Sequence, residues 1–244
     1  MIKKMILCSL FLPGLMYAGQ DEEQDILLRI DRYRVPYEQF LIRTQITTYE
    51  GNKIKESALF DAYIKGEDKS LIIEKEGKNK NMKILYVDEK MWVQLPGSRR
   101  PIRITPIQRL MGQASNGDVA KVGFVSDYSV VSLDTVRLED QTCYKLLLKA
   151  KWTSSTYNKI ILFVLKENCQ PVKAEFFLIS GKHFKTAEYV QFGLFQGKLL
   201  LEKMIIYDEL RTDRKTVFEY TVIKEKELPV RYYNKNYLIH VQGL

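Results

Sequence analysis

The chain reads as a mainly β protein built on a single antiparallel sheet that curls on itself. Three observations carry that expectation. Apolar and polar residues alternate with a period of two through most of the 244 residues. The alternating runs are joined by short turns rich in Gly, Asn and Lys, so strands adjacent in sequence pair antiparallel as a meander. The alternation breaks for a sustained run in one place, Met91–Tyr128.

Met1–Gly19 has the form of an export leader. Lys3 and Lys4 precede an apolar run, Met5–Leu15, that Pro13-Gly14 breaks. The run is too short to span a bilayer as a helix; the other reading is a buried N-terminal helix. Cleavage near residues 18–19 divides the chain into a leader, 1–19, and one domain, 20–244. Asp21–Arg34 starts acidic and ends basic, with Ile26, Leu27, Ile30 and Tyr33 on one face. This predicts an amphipathic helix, ended by Pro36.

From Tyr37 the period turns to two. Phe40, Ile42, Thr44, Ile46 and Thr48 share a face, and Ala58, Phe60, Ala62 and Ile64 repeat it. Leu71–Glu74 and Met82–Val87 follow across the Lys75–Asn81 turn. Leu138–Trp152 and Tyr157–Lys166 form a hairpin around Thr153–Thr156. Ala174–Ile179, Lys185–Phe195, Leu199–Tyr207 and Thr216–Val222 bring the total to about ten strands. A sheet of that size curls or closes. Tyr232–Leu238 makes a short tail whose aromatics pack against it.

Within the central stretch, Met91–Leu95 is a strand and Pro96-Gly97-Ser98 a turn. Arg99, Arg100 and Arg103 then form a basic edge. Pro106–Met111 predicts a short helix with Thr105 as its cap, and Ser115–Asp118 a second start with Asn116 and Asp118 as caps. The apolar residues here are Trp92, Leu95, Ile102, Ile104, Ile107, Leu110, Met111, Val119, Val122 and Phe124. Their segments are too short to form a core alone, so they cover the open side of the sheet. There they line a cavity for cargo or plug it as ordinary core. The basic edge meets lipid phosphates or an acidic partner, or is a solvated loop.

The formal charge of +8 favours anionic surfaces; loss of the leader leaves 36 basic against 30 acidic side chains, +6. Nucleic acid is not expected, because the lysines are spread over strand faces. With the hairpin turn centred near Ser155, Cys143 faces residue 167, within bridging reach of Cys169. An oxidising compartment favours that disulfide, the alternative being two buried thiols. His183 and His240 lack companions at metal-ligand spacing, and no nucleophile elbow, zinc-protease motif or phosphate loop occurs. The sequence calls for no cofactor and no catalytic set. A hydrolase centred on His183 would need an acidic partner and a nucleophile converging on its ring.

The blocks MWVQLPG, RRPIRI, QRLMG, SNGDVAK and the closing DY of the central stretch form a connected pattern. It continues in Tyr157–Ile160, Pro171–Glu175, Ser180–Lys182 and Glu227–Pro229. In order and over most of the chain, this resembles the bacterial outer-membrane lipoprotein-sorting domain proteins, relatives of the LolA/LolB periplasmic carriers. The carriers themselves are shorter and lack the SNGDVA block. The resemblance implies an incomplete β-barrel with helices as a lid over its concave face. It implies a periplasmic, non-enzymatic carrier of lipid or lipoprotein acyl chains, in transient contact with membranes. Cargo would lie against Trp92, Leu95, Ile104, Ile107, Leu110, Met111, Val119 and Phe124. The resemblance also implies an inner-membrane exporter of the RND type as partner. The alternative is a cargo-free adaptor of such an exporter. A contiguous apolar void under Pro106–Phe124 favours the carrier, and side chains filling it favour the adaptor.

Overall fold

Alternation at Phe40, Ile42 and Ile46, repeated at Ala58, Phe60, Ala62 and Ile64, buries the same side of neighbouring strands and curves the sheet around its contents. The computed structural model describes residues 17–209, 211 and 213–244. Its elements run α1 (Tyr17–Asp31), β1 (Gln39–Glu50), β2 (Lys53–Lys65), β3 (Lys69–Glu76), β4 (Lys83–Val87), β5 (Lys90–Gln94) and β6 (Ile102–Ile104). A small hairpin, β7 (Arg109–Met111) with β8 (Ala114–Ser115), leads into α2 (Asn116–Ala120). Then come β9 (Tyr128–Leu138), β10 (Gln141–Ala150), β11 (Lys159–Leu165), β12 (Pro171–Phe177), β13 (His183–Phe195), β14 (Lys198–Asp208) and β15 (Arg214–Glu225). Two 3-10 turns, Val230–Tyr233 and Lys235–His240, end the chain. The leader expected at 1–19 lies outside the described residues up to residue 16.

Thirteen strands form one antiparallel sheet in the order β6-β5-β4-β3-β2-β1-β15-β14-β13-β12-β11-β10-β9. Two meanders, β1–β6 and β9–β15, are therefore joined where the first strand pairs with the last. β6 and β9 remain as free edges, so the barrel is incomplete, as expected. The strand count exceeds the sequence expectation because β6 lies inside the stretch read as an interruption and β9 fills the segment between that stretch and the hairpin expected from Leu138.

The two faces carry different cores. The concave face gathers one residue parity from nearly every strand, together with Ile26, Leu27 and Ile30 of α1. The convex face of β1–β5 holds Leu41, Tyr63, Leu71, Ile73 and Leu85. Leu228, Tyr233, Leu238 and Val241 of the tail cover them.

Two expectations are corrected. Thr105–Met111 is not a helix. Gln108 folds back, its side chain accepting from the Thr105 N–H at 2.8 Å and its own N–H donating to the Thr105 carbonyl at 3.2 Å. Gly112, at φ +52°, then reverses the chain so that Arg109–Met111 pairs with Ala114–Ser115. Pro106 suits this turn as well as a helix start. Secondly, Cys143 and Cys169 are both buried free thiols. The hairpin pairs Cys143 with Leu165, not residue 167. Cys143 also sits out of phase with Leu146 and Leu148, on the opposite face from the core that Cys169 joins.

Gly112 seats the β7–β8 hairpin, since a Cβ there would run into Thr48 and Thr216, while the Gln113 N–H donates to the Thr216 hydroxyl at 2.8 Å. Gly112→Ala is expected to destabilise the protein by about 1–3 kcal/mol, read from the urea midpoint.

Candidate functional site

The chain between the two free edges has one route available. Leaving β6 and entering β9, residues 105–127 must cross the mouth of the curled sheet, and they form a strap over its concave face. Apolar side chains hold it down: Met111, Val119, Val122 and Phe124 are buried in the main core, and Ile104, Ile107 and Leu110 pack at its margin.

Polar groups fix its position. Asp118 accepts from the Ser115 N–H at 2.8 Å, which sets the first turn of α2. The same carboxylate meets Lys185 of β13 at 2.6 Å, and the Tyr157 hydroxyl donates to its other oxygen at 2.7 Å. The Lys185 side chain is fully buried and also donates to the Gln113 carbonyl at 2.9 Å and the Ser115 hydroxyl at 3.3 Å. Burial pulls its ammonium below lysine's usual range, and Asp118 opposes that pull. Burial, reinforced by Asp118, raises the Tyr157 hydroxyl well above 10.0. A second buried pair, Lys121–Asp127 at 2.7 Å, lies further along the strap, with Lys121 over the Tyr86 ring.

α1 supplies a third fastening. Asp31, its last residue, accepts from the Phe124 N–H at 2.8 Å and the Val125 N–H at 2.9 Å. Burial raises its carboxyl from 3.8 to about 6, although those backbone donors and Arg34 pull the other way. Arg34 follows in the turn after α1, half-buried, its guanidinium 5.1 Å from the centre of the Phe124 ring and its side chain lining a void with Tyr220.

Little free space remains beneath the strap. A void of about 30 Å³ is bordered by Arg34, Asp118, Tyr157, Tyr189 and Met204, and one of about 10 Å³ by Arg34, Val122 and Tyr220. These admit a water molecule or two, not an acyl chain. A larger pocket, about 240 Å³, opens outside, between Leu28, Asp31 and Val35 of the α1 end, Glu67 and Lys69, and the strap residues Lys121–Ser126. Val122 lines both this pocket and the smaller void.

A family model described as "Uncharacterized protein" matches residues 66–240. No curated protein matches the chain. Among solved structures, a LolA superfamily protein from Nitrosomonas europaea is 31% identical over 88% of this chain and 98% of its own, with a TM-score of 0.82. The chain belongs to the LolA superfamily. A DUF1329 family protein from Desulfovibrio piger (19% identity, TM-score 0.74, 90% of this chain and 98% of its own) shares the fold. So does a putative outer membrane lipoprotein-sorting protein domain from Vibrio parahaemolyticus (16%, 0.73, 90% and 99%).

On this LolA superfamily scaffold the sequence candidates separate into two groups. Ile104, Ile107, Leu110, Met111, Val119 and Phe124 come together over the concave face. Trp92 and Leu95 do not. Trp92 has the opposite parity to Met91 on β5 and packs on the convex face, with Arg103 4.9 Å above its ring, and Leu95 is exposed in the following loop. Ile102 is exposed as well. Arg99, Arg100 and Arg103 are exposed along the β6 edge, away from the strap's interior.

His183 stacks on Phe177, with the Glu209 carboxylate 3.8 Å from Nδ1 and the Thr186 hydroxyl 3.1 Å from Nε2. Thr186 also donates to Glu209, so its hydroxyl is shared between that carboxylate and the imidazole, and an acidic partner and a hydroxyl both meet at this ring. Lys185 and Arg34 escaped the sequence reading. The available signal was parity: Lys185 shares its strand face with Ala187 and Tyr189, an inward position where a lysine needs a partner.

Two outcomes test these fastenings. Asp118→Asn leaves Lys185 buried without a counter-charge. It should cost about 3–5 kcal/mol, with faster amide hydrogen exchange in α2 than in the central strands. Asp31, with its raised pKa, stabilises the fold when protonated. Its contribution is complete below 3.8 and is lost as pH rises through about 6. The stability of wild type relative to Asp31→Asn should therefore fall by about 3 kcal/mol between those limits.

Proposed function

We propose that this protein is a non-enzymatic carrier of the LolA type, which takes the acyl chains of a lipid or lipoprotein into its concave interior in the periplasm and delivers them toward the outer membrane. One observation carries the reading: an apolar concave face covered by a strap anchored at two free sheet edges. Such a cover can lift without breaking a strand pair of the main sheet. The strap's contacts are then replaced by cargo, each buried methylene contributing about 0.8 kcal/mol. Entry starts at the pocket between α1 and Lys121–Ser126, because Val122 alone lines both that pocket and the void behind it.

The filled interior favours a second reading, a cargo-free adaptor of an RND-type exporter. Native mass spectrometry of protein from envelope extract, without detergent, separates the two, together with uptake of a fluorescent fatty acid. The carrier is expected to hold extractable lipid. Tyr157→Phe, which removes one hydrogen bond worth about 1 kcal/mol from the Asp118 fastening, should speed uptake about fivefold. A bare protein mass with no fatty-acid uptake would leave the adaptor.

A further inference from the structure

Three cations meet the strap and the interior beneath it: Lys185 and Lys121, whose side chains are buried, and Arg34, which is half-buried. Two are matched: Lys185 by Asp118 at 2.6 Å and Lys121 by Asp127 at 2.7 Å. Arg34 is not, for among the described residues no carboxylate lies within 4.0 Å of its guanidinium. Asp118 is committed to Lys185, Tyr157 and the Ser115 N–H, and Asp31 to the Phe124 and Val125 amides. Its nearest neighbours are neutral, the face of the Phe124 ring and the Tyr220 side chain across a small void, while the Asp31 and Asp118 carboxylates act on it from further off. It also borders both small voids, with Tyr189 lining one and Tyr220 the other.

A guanidinium keeps its charge at any physiological pH, and one half-buried against aromatic rings, as Arg34 is, stays under-solvated until an anion or an equivalent set of dipoles meets it. For a purely hydrocarbon cargo this residue would be a liability at the centre of the site. For a cargo with an oxyanion it is the group that recognises the head, because the planar fork matches a carboxylate or phosphate in two parallel hydrogen bonds. The present voids are too small for such a head. Phe124, however, belongs to the strap, and when the strap lifts its ring leaves the face of Arg34.

We propose that the cargo is an amphiphile with a carboxylate or phosphate head group and that Arg34 receives that head in the place vacated by Phe124. The chain then lies along the concave face, in the contacts given up by Val122 and Leu110. This rests on the carrier reading and adds the class of ligand to it.

The test compares ligands of one chain length, palmitate, cetyl phosphate and cetyl alcohol. Their affinities for the delipidated mature protein are measured by displacement of a fluorescent fatty acid below their micelle thresholds. The two anions are expected to bind about tenfold more tightly than the alcohol, a gap of about 1.4 kcal/mol. Arg34→Gln should erase the gap while leaving the alcohol's affinity unchanged, and Arg34→Lys should restore part of it. Equal binding of palmitate and cetyl alcohol to the wild type overturns the head-group site and leaves the carrier reading standing. An Arg34→Gln variant that weakens acid and alcohol alike also overturns it, by making Arg34 structural. Should that variant not fold, the wild-type comparison decides. Binding of inorganic phosphate alone, lost in Arg34→Gln, assigns the site to a free anion and overturns the amphiphile. Failure of all three ligands to bind overturns both readings.

Discussion

An antiparallel sheet buried on its inner face and unclosed at its edges must take its cover from the rest of the chain. Here the deficit is large, because thirteen strands contribute apolar residues to one concave surface and, among the described residues, the other sheet is a hairpin of two short strands. Two pieces make up the difference. α1 covers one part with Ile26, Leu27 and Ile30. The strap covers another with Met111, Val119, Val122 and Phe124. Within the strap, the β7–β8 hairpin seats Gly112 between Thr48 and Thr216. Each piece is short and owes its conformation to the surface beneath it.

Apolar cover alone would leave the strap free to slide, since hydrophobic contact has no direction. Direction comes from the polar groups under it. The Asp118 carboxylate ties the start of α2 to β13 and to Tyr157, and Lys121–Asp127 and Asp31 fix the segment that follows. Such pairs add little net stability, because the desolvation they require offsets most of their attraction. What they provide is one register for the strap over many. A cover of this kind is specific when closed and releases as a unit when it opens.

The sheet was legible in the sequence because burying one face of a strand enforces a period of two, which Phe40, Ile42 and Ile46 and then Ala58, Phe60, Ala62 and Ile64 keep even though Leu41 and Tyr63 are buried on the other face. The strap was legible as an interruption but not in its details. Thr105–Met111 satisfies a helix start and a turn equally, and the sheet beneath decides for the turn. Trp92 was assigned to the interior by its neighbours, whereas its parity on β5 sends it outward. Asp118 was visible as a cap. Its second role depends on Lys185, 67 residues away and brought near only by the topology. A shift of two residues in the β10–β11 register was enough to undo the expected disulfide.

The pairing of β1 with β15 has a consequence for how the chain reaches this state. Each meander is built from hairpins whose partners lie close in sequence, and these form quickly. The seam between them joins Phe40 to Glu225 and Glu50 to Arg214, among the longest loop closures in the molecule. That closure is entropically costly and is repaid only when both meanders present finished edges. A chain emerging from its N-terminus therefore holds β1 unpaired on one side until nearly all of the sequence has followed.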